Sequence, residues 1–133
     1  MAGLQVLEET FSEQGLEVLG FYSNDFGNQG GSDEDIEGCT DQYAVTFDQF
    51  ATGHVIDPDG GGPQVPQPVW QWLSEQPGFV EPGWNFHKYL ISRDGQFVQH
   101  FSRSVYPGDD PNNPNDSFDT NEVVVAIQAE LAK

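Results

Sequence analysis

The stretch 81–101 contains two runs of aromatic, aliphatic and β-branched side chains, and these runs are separated by a break at 93–95. The break contains an Asp-Gly pair, which is the strongest short signal for a β-hairpin when apolar runs flank it. The pattern therefore predicts a hairpin whose first strand begins at Trp84 and Asn85. The side chains that favour the two strands are Phe86, Tyr89, Leu90, Ile91, Phe97, Val98 and Phe101.

Helical periodicity predicts one amphipathic helix at each end of the chain. Apolar side chains within residues 2–14 recur at helical spacing, and Gly15 follows them as a stop. Towards the C-terminus, Thr120 is predicted to cap a second amphipathic helix. The two apolar stripes are Leu4, Leu7 and Phe11 in the first helix, and Val123, Val124, Ile127 and Leu131 in the last.

The run 16–22 is almost wholly apolar, which predicts a central strand that is covered on both faces. A helix that leads through a glycine turn into such a strand is half of a β-α-β unit. The other half would be a strand that precedes residue 2, so we expect the chain to begin in the middle of this motif.

Two more helices and a short extended segment are predicted in the middle of the chain. Ser32 is expected to cap an acidic helix that ends near Tyr43, and residues 45–47 are expected to be extended. Residues 57–68 are rich in glycine and proline and are predicted to form a mobile surface loop. Pro68 then opens a short helix.

The predicted order of elements indicates an α/β fold. One additional strand at the N-terminal end of this order would complete a thioredoxin-like architecture, in which a sheet carries helices on both faces. The first core strand of that architecture is absent from this chain. The 133 residues are expected to form a single, N-terminally incomplete domain.

The composition is strongly acidic, with 22 acidic and 4 basic side chains and a formal net charge of −18. This charge argues against nucleic acid or an anionic membrane as a partner, because phosphate binding requires Lys and Arg. It suits a protein from a high-salt environment, where screening shortens the reach of repulsion, and an ordinary acidic protein is the alternative. The N-terminus lacks the pattern of a signal peptide, which favours a cytoplasmic location.

Few residues offer obvious chemistry. Trp84 and Asn85 place two N–H donors side by side at the start of a predicted strand, although from this stretch alone a core tryptophan and a loop asparagine are the favoured interpretation. The single cysteine, Cys39, excludes an internal disulfide. The acidic loop 103–118 lacks the spacing of a calcium loop, and no metal site is predicted from His54, His87 and His100.

Three stretches carry a resemblance to a known family: GLEVLGF at 15–21, NDFGNQ at 24–29 and WNFHKYLI at 84–91. In these stretches the chain resembles the glutathione peroxidase family, and the resemblance continues in order along nearly the whole chain. Further matching stretches are DEDI at 33–36, CTDQYAVTF at 39–47, PVWQWL at 68–73 and RDG at 93–95.

The resemblance implies a thiol peroxidase with a Cys or selenocysteine nucleophile. Such an enzyme reduces hydrogen peroxide or organic hydroperoxides with thioredoxin or glutathione as the reductant, and it needs no cofactor. Gln29, Trp84 and Asn85 match the residues that donate hydrogen bonds to the nucleophile. Cys39 matches the resolving cysteine of thioredoxin-dependent members, and a small buried apolar side chain is the alternative interpretation of this residue.

The family's nucleophile precedes the helix that begins here at residue 2, so the matching position would lie upstream of Met1. Cys39 belongs to another helix and does not replace it, and we therefore expect this chain to be inactive. A non-enzymatic redox-sensing or scaffold protein with one reactive cysteine is the alternative function. The family's tetramer-forming members carry an extra loop before the motif at 84–86, so the resemblance, together with the short segment 75–83, implies a monomer or dimer rather than a tetramer.

The absent strand would lie between the strand at 16–22 and the hairpin, and its absence would leave two strand edges unpaired. Three hypotheses follow from this. The chain is a fragment with a misplaced start, or it borrows a strand from a second copy in a homodimer, or its sheet closes imperfectly.

Overall fold

The computed structural model describes residues 1–57 and 62–133. The centre of the predicted mobile loop, residues 58–61, lies outside the described residues. The remainder follows the predicted order of helices and strands. In chain order the elements are α1 (Ala2–Phe11), β1 (Leu19–Phe21), α2 (Asp33–Tyr43), β2 (Asp48–Phe50), α3 (Pro68–Ser74), β3 (Lys88–Ile91), β4 (Phe97–Phe101) and α4 (Glu122–Leu131), with 3-10 turns at Ser12–Gln14 and Phe118–Thr120.

The strands form two short sheets. β1 pairs in parallel with β2, with Leu19 opposite Asp48. β3 and β4 form the predicted antiparallel hairpin, with Lys88 opposite Phe101 and a bulge next to Ile91. No ladder joins the two sheets in the part of the chain that the structure describes. The mixed α/β class is confirmed, whereas the strands are divided between two sheets.

The first strand is shorter and more exposed than predicted. The residues predicted to begin the strand are hydrogen-bonded to α1 instead. The Leu16 N–H donates to the Phe11 carbonyl, and the Val18 N–H donates to the Glu8 carboxylate at 3.0 Å. β1 therefore begins at Leu19, whose side chain is 47% exposed. The prediction that this strand is covered on both faces is wrong.

The segment 45–47, predicted to be extended, is not a strand, and the chain bends at Phe47. Its central N–H, from Thr46, donates to the buried Gln5 side-chain oxygen at 2.9 Å, and Gln5 Nε2 donates back to Thr46 Oγ1 at 3.0 Å. This reciprocal pair fastens the segment to α1, and the backbone pairs with β1 only from Asp48 onwards. The Gln5 side chain of α1 thus pairs with the Thr46 N–H, the backbone donor that a neighbouring strand would otherwise have paired.

Helices cover the hairpin on both faces. Tyr89 of β3 packs against Trp70 of α3, and its neighbour Leu90 packs against the cluster formed with α1 and α4. Successive side chains of a strand point to opposite faces, which explains this division. The buried side chains on the α1 and α4 face are Leu7, Phe11, Phe101, Val123, Val124 and Ile127, and those on the α3 face are Val55, Trp70 and Leu73.

The helix caps decide where α2 and α4 begin. The predicted cap at Ser32 is confirmed: the Ser32 Oγ accepts from the Asp35 N–H, and the Asp35 carboxylate accepts from the Ser32 N–H, which forms a capping box. The cap of α4 is Asn121 rather than the predicted Thr120, because Thr120 belongs to the preceding 3-10 turn. Asn121 Oδ1 accepts from the first free backbone donors of the helix, including the Val123 N–H at 3.1 Å.

Among the helices of residues 1–57 and 62–133, none has the length and the apolarity that crossing a bilayer requires.

Replacement of the α4 cap tests how the C-terminal helix is held. Asn121 is buried, and its side chain also donates to the Tyr106 carbonyl at 2.8 Å. We expect Asn121→Ala to lower the free energy of unfolding by roughly 1–2 kcal/mol, since it removes a cap and leaves buried partners unsatisfied. Urea denaturation measures the change, with the exposed Asn112→Ala as control. Equal midpoints for the two variants would contradict the assigned cap.

Candidate active site

Two loops meet beside the ends of the two sheets. Residues 24–29 leave the C-terminal end of β1, and residues 83–87 lead into β3. Asn85 Nδ2 donates a short hydrogen bond to Gln29 Oε1. Because the oxygen of Gln29 is the acceptor in this bond, its NH₂ group is left to donate elsewhere. Two of the three predicted donors are thus brought together across 56 residues of sequence separation.

Trp84 completes this group of side chains. Its ring lies against Phe26, with a centroid distance of 6.2 Å, and its side chain is 40% exposed. A Cβ built on Gly27 would lie 3.8 Å from both Gln29 Nε2 and the Trp84 ring, which places the two side chains around one glycine. A surface depression of about 500 Å³ adjoins the indole, lined by Gly83, Trp84, His87, Ser102, Arg103 and Ser104.

Left-handed backbone positions turn both loops. Gly27 and Asn28 have φ of 68° and 56°, and Phe86 has φ of 60°. The left-handed turn at Phe86 ends the extended conformation, so β3 begins at Lys88 and not at the predicted Trp84. The Phe86 side chain, expected within the strand, is 60% exposed. Trp84 and Asn85 therefore project from a turn that precedes the strand.

Asp25 anchors the first loop. Its carboxylate accepts from His54 Nδ1 at 2.6 Å and from the Val55 N–H at 2.8 Å, and its side chain is only 4% exposed. Burial by itself would raise the pKa of Asp25. The hydrogen bonds from His54, Val55, Ser23 and Ile56 outweigh burial and hold this pKa below its ordinary value.

The three histidines do not form one group. His87 Nδ1 and His100 Nε2 share a hydrogen bond of 2.7 Å across the hairpin, while His54 pairs with Asp25. Burial, followed by neighbouring positive charge, lowers the pKa of both His87 and His100. The described residues contain no group of three or more His, Cys, Asp or Glu side chains that could hold a metal ion.

Lys88 is a half-buried cation at the start of β3. Its Nζ donates to the carbonyls of Phe86 and Ser102, each at 2.9 Å, and also to that of Val105. Burial lowers the pKa of Lys88 to about 8. These bonds tie the turn that carries Trp84 and Asn85 to the loop after β4.

Cys39 lies on α2 and is half-buried. Its thiol neighbours the Tyr22 hydroxyl: burial raises the pKa of Tyr22 to about 12, and Cys39 contributes to the rise. The Tyr22 hydroxyl donates to Gln49 Oε1 at 2.5 Å. Within the described chain, no hydrogen bond joins Cys39 to Gln29, Trp84 or Asn85.

A family model described as glutathione peroxidase matches residues 1–74, which is more than half of the chain. The chain belongs to the glutathione peroxidase family. A glutathione peroxidase of Lactococcus lactis subsp. cremoris is 38% identical over 110 residues, and the match covers 79% of this chain and 66% of that protein. A glutathione peroxidase-like peroxiredoxin of Schizosaccharomyces pombe is 39% identical over 110 residues, with the same coverage of 79% and 66%.

A third curated relative and a solved structure also match this chain. A hydroperoxy fatty acid reductase of Synechocystis is 34% identical over 116 residues, covering 79% of this chain and 65% of that protein. The solved structure titled "Crystal structure of Trgpx in apo form" matches 98% of this chain and 69% of its own, with a TM-score of 0.63 and 23% identity. The fold is therefore shown to be that of this thioredoxin-like family, and the chain spans just under two thirds of the length of its first curated relatives.

The assignment of Gln29, Trp84, Asn85 and Cys39 to catalytic roles stays a prediction. Sequence reasoning missed the contact of Asp25 with His54, and it missed the shared bond of His87 with His100. The second pair carries a sequence signal, since His100 pairs with Tyr89 and His87 lies two residues before Tyr89, which makes the two histidines diagonal neighbours across the hairpin. The first pair carries none, because its members come from separate loops.

Acid titration tests the anchor at Asp25. The depressed pKa of Asp25 means that the stability it contributes is present above the ordinary carboxyl pKa and is lost as the pH falls through the lower pKa of the folded state. We expect Asp25→Asn to lower the free energy of unfolding by roughly 2 kcal/mol at pH 6. The difference in free energy of unfolding between Asp25→Asn and the unmodified chain should become smaller below pH 4.

Urea midpoints at the two pH values provide the measurement, and the exposed Asp109→Asn is the matched charge control. If the difference in free energy of unfolding between the two chains is the same at pH 6 and pH 3, the Asp25 charge does not stabilise the loop.

Proposed function

We propose that this chain is the donor-bearing part of a thiol peroxidase that reduces hydrogen peroxide or organic hydroperoxides. Gln29, Trp84 and Asn85 stabilise a thiolate or selenolate through their N–H groups. The observation that supports this role is the bond from Asn85 to Gln29 with the Trp84 indole beside it. Donors aimed at sulfur favour its ionised form, which is the reactive nucleophile.

The reduction of a peroxide by a thiolate needs no cofactor. The thiolate attacks one peroxide oxygen, the O–O bond breaks, and a proton converts the leaving oxygen to water or an alcohol. The enzyme sulfur is oxidised to a sulfenic acid. A second thiol then attacks that sulfur, which releases water and forms a disulfide, and thioredoxin or glutathione reduces the disulfide in a final exchange.

The donors do not supply a nucleophile themselves. The only sulfur nucleophile encoded here is Cys39, and it lies on α2 next to Tyr22. We infer that the 133-residue chain does not turn over peroxide, and that Cys39 is the candidate resolving thiol for a nucleophile supplied from outside these residues.

The reductant and the peroxide are open to experiment. One relative is named a peroxiredoxin and another a hydroperoxy fatty acid reductase, which makes thioredoxin and lipid hydroperoxides reasonable first choices. The exposed Phe86 and the depression next to Trp84 offer apolar and polar surface at the site where such a substrate would approach.

A coupled assay tests the proposal. We expect the 133-residue chain to consume hydrogen peroxide no faster than Cys39→Ser, with NADPH, thioredoxin reductase and thioredoxin present, because neither chain carries the nucleophile. NADPH oxidation at 340 nm is the measurement. Turnover that disappears in Cys39→Ser would identify Cys39 as the nucleophile and would contradict the assignment of the donors.

A redox-sensing function is the second candidate, and the setting of α2 favours it. In α2 only Ile36 is buried, so most of the helix faces solvent and Cys39 is half-exposed. Such a thiol is free to form a disulfide between two chains.

Peroxide treatment separates the two functions. If the chain is a sensor, it should form a dimer that dithiothreitol reverses, and Cys39→Ser should stay monomeric on a non-reducing gel. The neighbouring variant Thr40→Ser leaves the thiol intact and is the control. A chain that stays monomeric after peroxide treatment would exclude the sensor function.

A further inference from the structure

His87 and His100, the histidine pair, share one hydrogen bond across the open end of the hairpin. The bonded nitrogens are 2.7 Å apart, and the ring centroids are 5.0 Å apart with an interplanar angle of 20°. The centroids exceed the nitrogens in separation by about twice the distance from an imidazole centroid to its nitrogen, so the two rings meet end to end. Such a bond needs a lone pair on one ring, and therefore it survives the uptake of one proton and is lost on the uptake of a second.

The two rings differ in how firmly the backbone holds them. His100 lies within β4, opposite Tyr89 in the ladder. The ladder begins at Lys88, so His87 lies outside it and also borders the depression next to Trp84. Repulsion between the rings is therefore relieved by movement of His87, while His100 keeps its place in the strand.

His87 ends the turn 83–87 that carries Trp84 and Asn85. In this turn Phe86 has φ of 60°, which is an unfavourable backbone conformation for a bulky side chain. The Phe86 side chain is 60% exposed, so burial does not hold the turn in this conformation. Neighbouring contacts hold it instead: Lys88 Nζ donates to the Phe86 carbonyl, and His87 bonds to His100.

Positive charge surrounds the histidine pair. Burial, then His100, and then the cations Lys88 and Arg103 lower the pKa of His87. Burial and then Lys88 lower the pKa of His100. A second proton on the pair would thus place two adjoining imidazolium rings beside two further cations, and like charges in contact repel each other.

Carboxylates near the hairpin act on other groups. Glu122 of α4 faces Lys88, and Glu81 faces the Tyr89 hydroxyl. Neither ring of the histidine pair forms an ion pair with a carboxylate in the part of the chain that the structure describes. The ion pairs found there are His54 with Asp25 and Lys133 with Glu130.

We propose that His87 and His100 are positioning residues that hold Trp84 and Asn85 at the candidate site, and that a second proton on the pair releases the turn 83–87. With the shared bond in place, Asn85 reaches Gln29. When both rings are charged, His87 swings away from His100 and carries Asn85 away from Gln29. The donor group is thus assembled at neutral pH and open in acid. The inference rests on the proposed function for the role of the donors, whereas its test needs no turnover.

NMR between pH 7.5 and pH 5.0 tests the release on the unmodified chain. We expect the Asn85 Nδ2 and Trp84 Nε1 signals to shift reversibly, in step with the ring signals of His87 and His100 and with an apparent pKa below the ordinary 6.5. Because folding lowers the pKa of both rings, the stability that the pair contributes is full above pH 6.5 and is lost as the pH falls. The urea midpoint should therefore also fall.

Two variants of His100 separate a pH-dependent role from a merely structural one. A carboxamide both donates and accepts, so His100→Gln bonds to either protonation state of His87. We expect it to reduce the acid-induced shifts of Asn85 and Trp84 at least fivefold. His100→Ala removes the bond at every pH, and it should show the acid positions of both signals already at pH 7.5.

His54→Asn is the control, because it keeps a donor at the Nδ1 position that bonds to Asp25. It should leave the acid-induced shifts of Asn85 and Trp84 unchanged. Two results would overturn the proposal. The first is that the Asn85 and Trp84 signals stay in place down to pH 5.0. The second is that they shift as far in His100→Gln as in the unmodified chain, which would assign the change to another titrating group.

Discussion

The ring of Trp70 is the contact on which the arrangement of the two sheets depends. It packs edge-on against Phe21 of β1 and against Tyr89 of β3, while no ladder connects these strands in the described residues. Backbone hydrogen bonds therefore fix the geometry within each sheet, and side-chain packing on α3 fixes the geometry between them. Non-directional packing of this kind specifies a separation less sharply than a hydrogen-bonded ladder does.

The geometry of the candidate site depends on this packing of Trp70. Gln29 belongs to the loop that follows β1, and Asn85 belongs to the turn that precedes β3, so the bond between them spans the two sheets. Each side is anchored locally: Asp25 holds the first loop through His54 and Val55, and Lys88 holds the second through backbone carbonyls. The donors are rigid within their own loops, and their mutual distance depends on the packing around Trp70.

Local patterns predicted the elements well, and long-range contacts account for the errors. The hairpin, the four helices and the cap at Ser32 follow from periodicity and turn residues within a few positions. The start of β1 and the place of β2 were wrong because α1 intervenes, through Glu8 at Val18 and through Gln5 at Thr46. The resemblance identified the site residues, but the partners that hold their loops, such as His54 for Asp25 and Val105 for Lys88, lie far away in sequence and carry no local signal.

The separation of β1 and β3 bears directly on the donor group, because each of the two strands carries one of the two loops. The packing of Trp70 against Phe21 and Tyr89 sets this separation, since no ladder joins the two strands in the described residues. That separation fixes how far Gln29 lies from Asn85, and therefore whether both amides reach one atom or bond to each other as they do here. The bond from Asn85 to Gln29 uses one of the two N–H donors of Asn85 and neither N–H donor of Gln29, so the remaining amide donors are left for a chalcogen. The approach of both donors to a nucleophile thus depends on one distance, which the packing of Trp70 holds in the structure described.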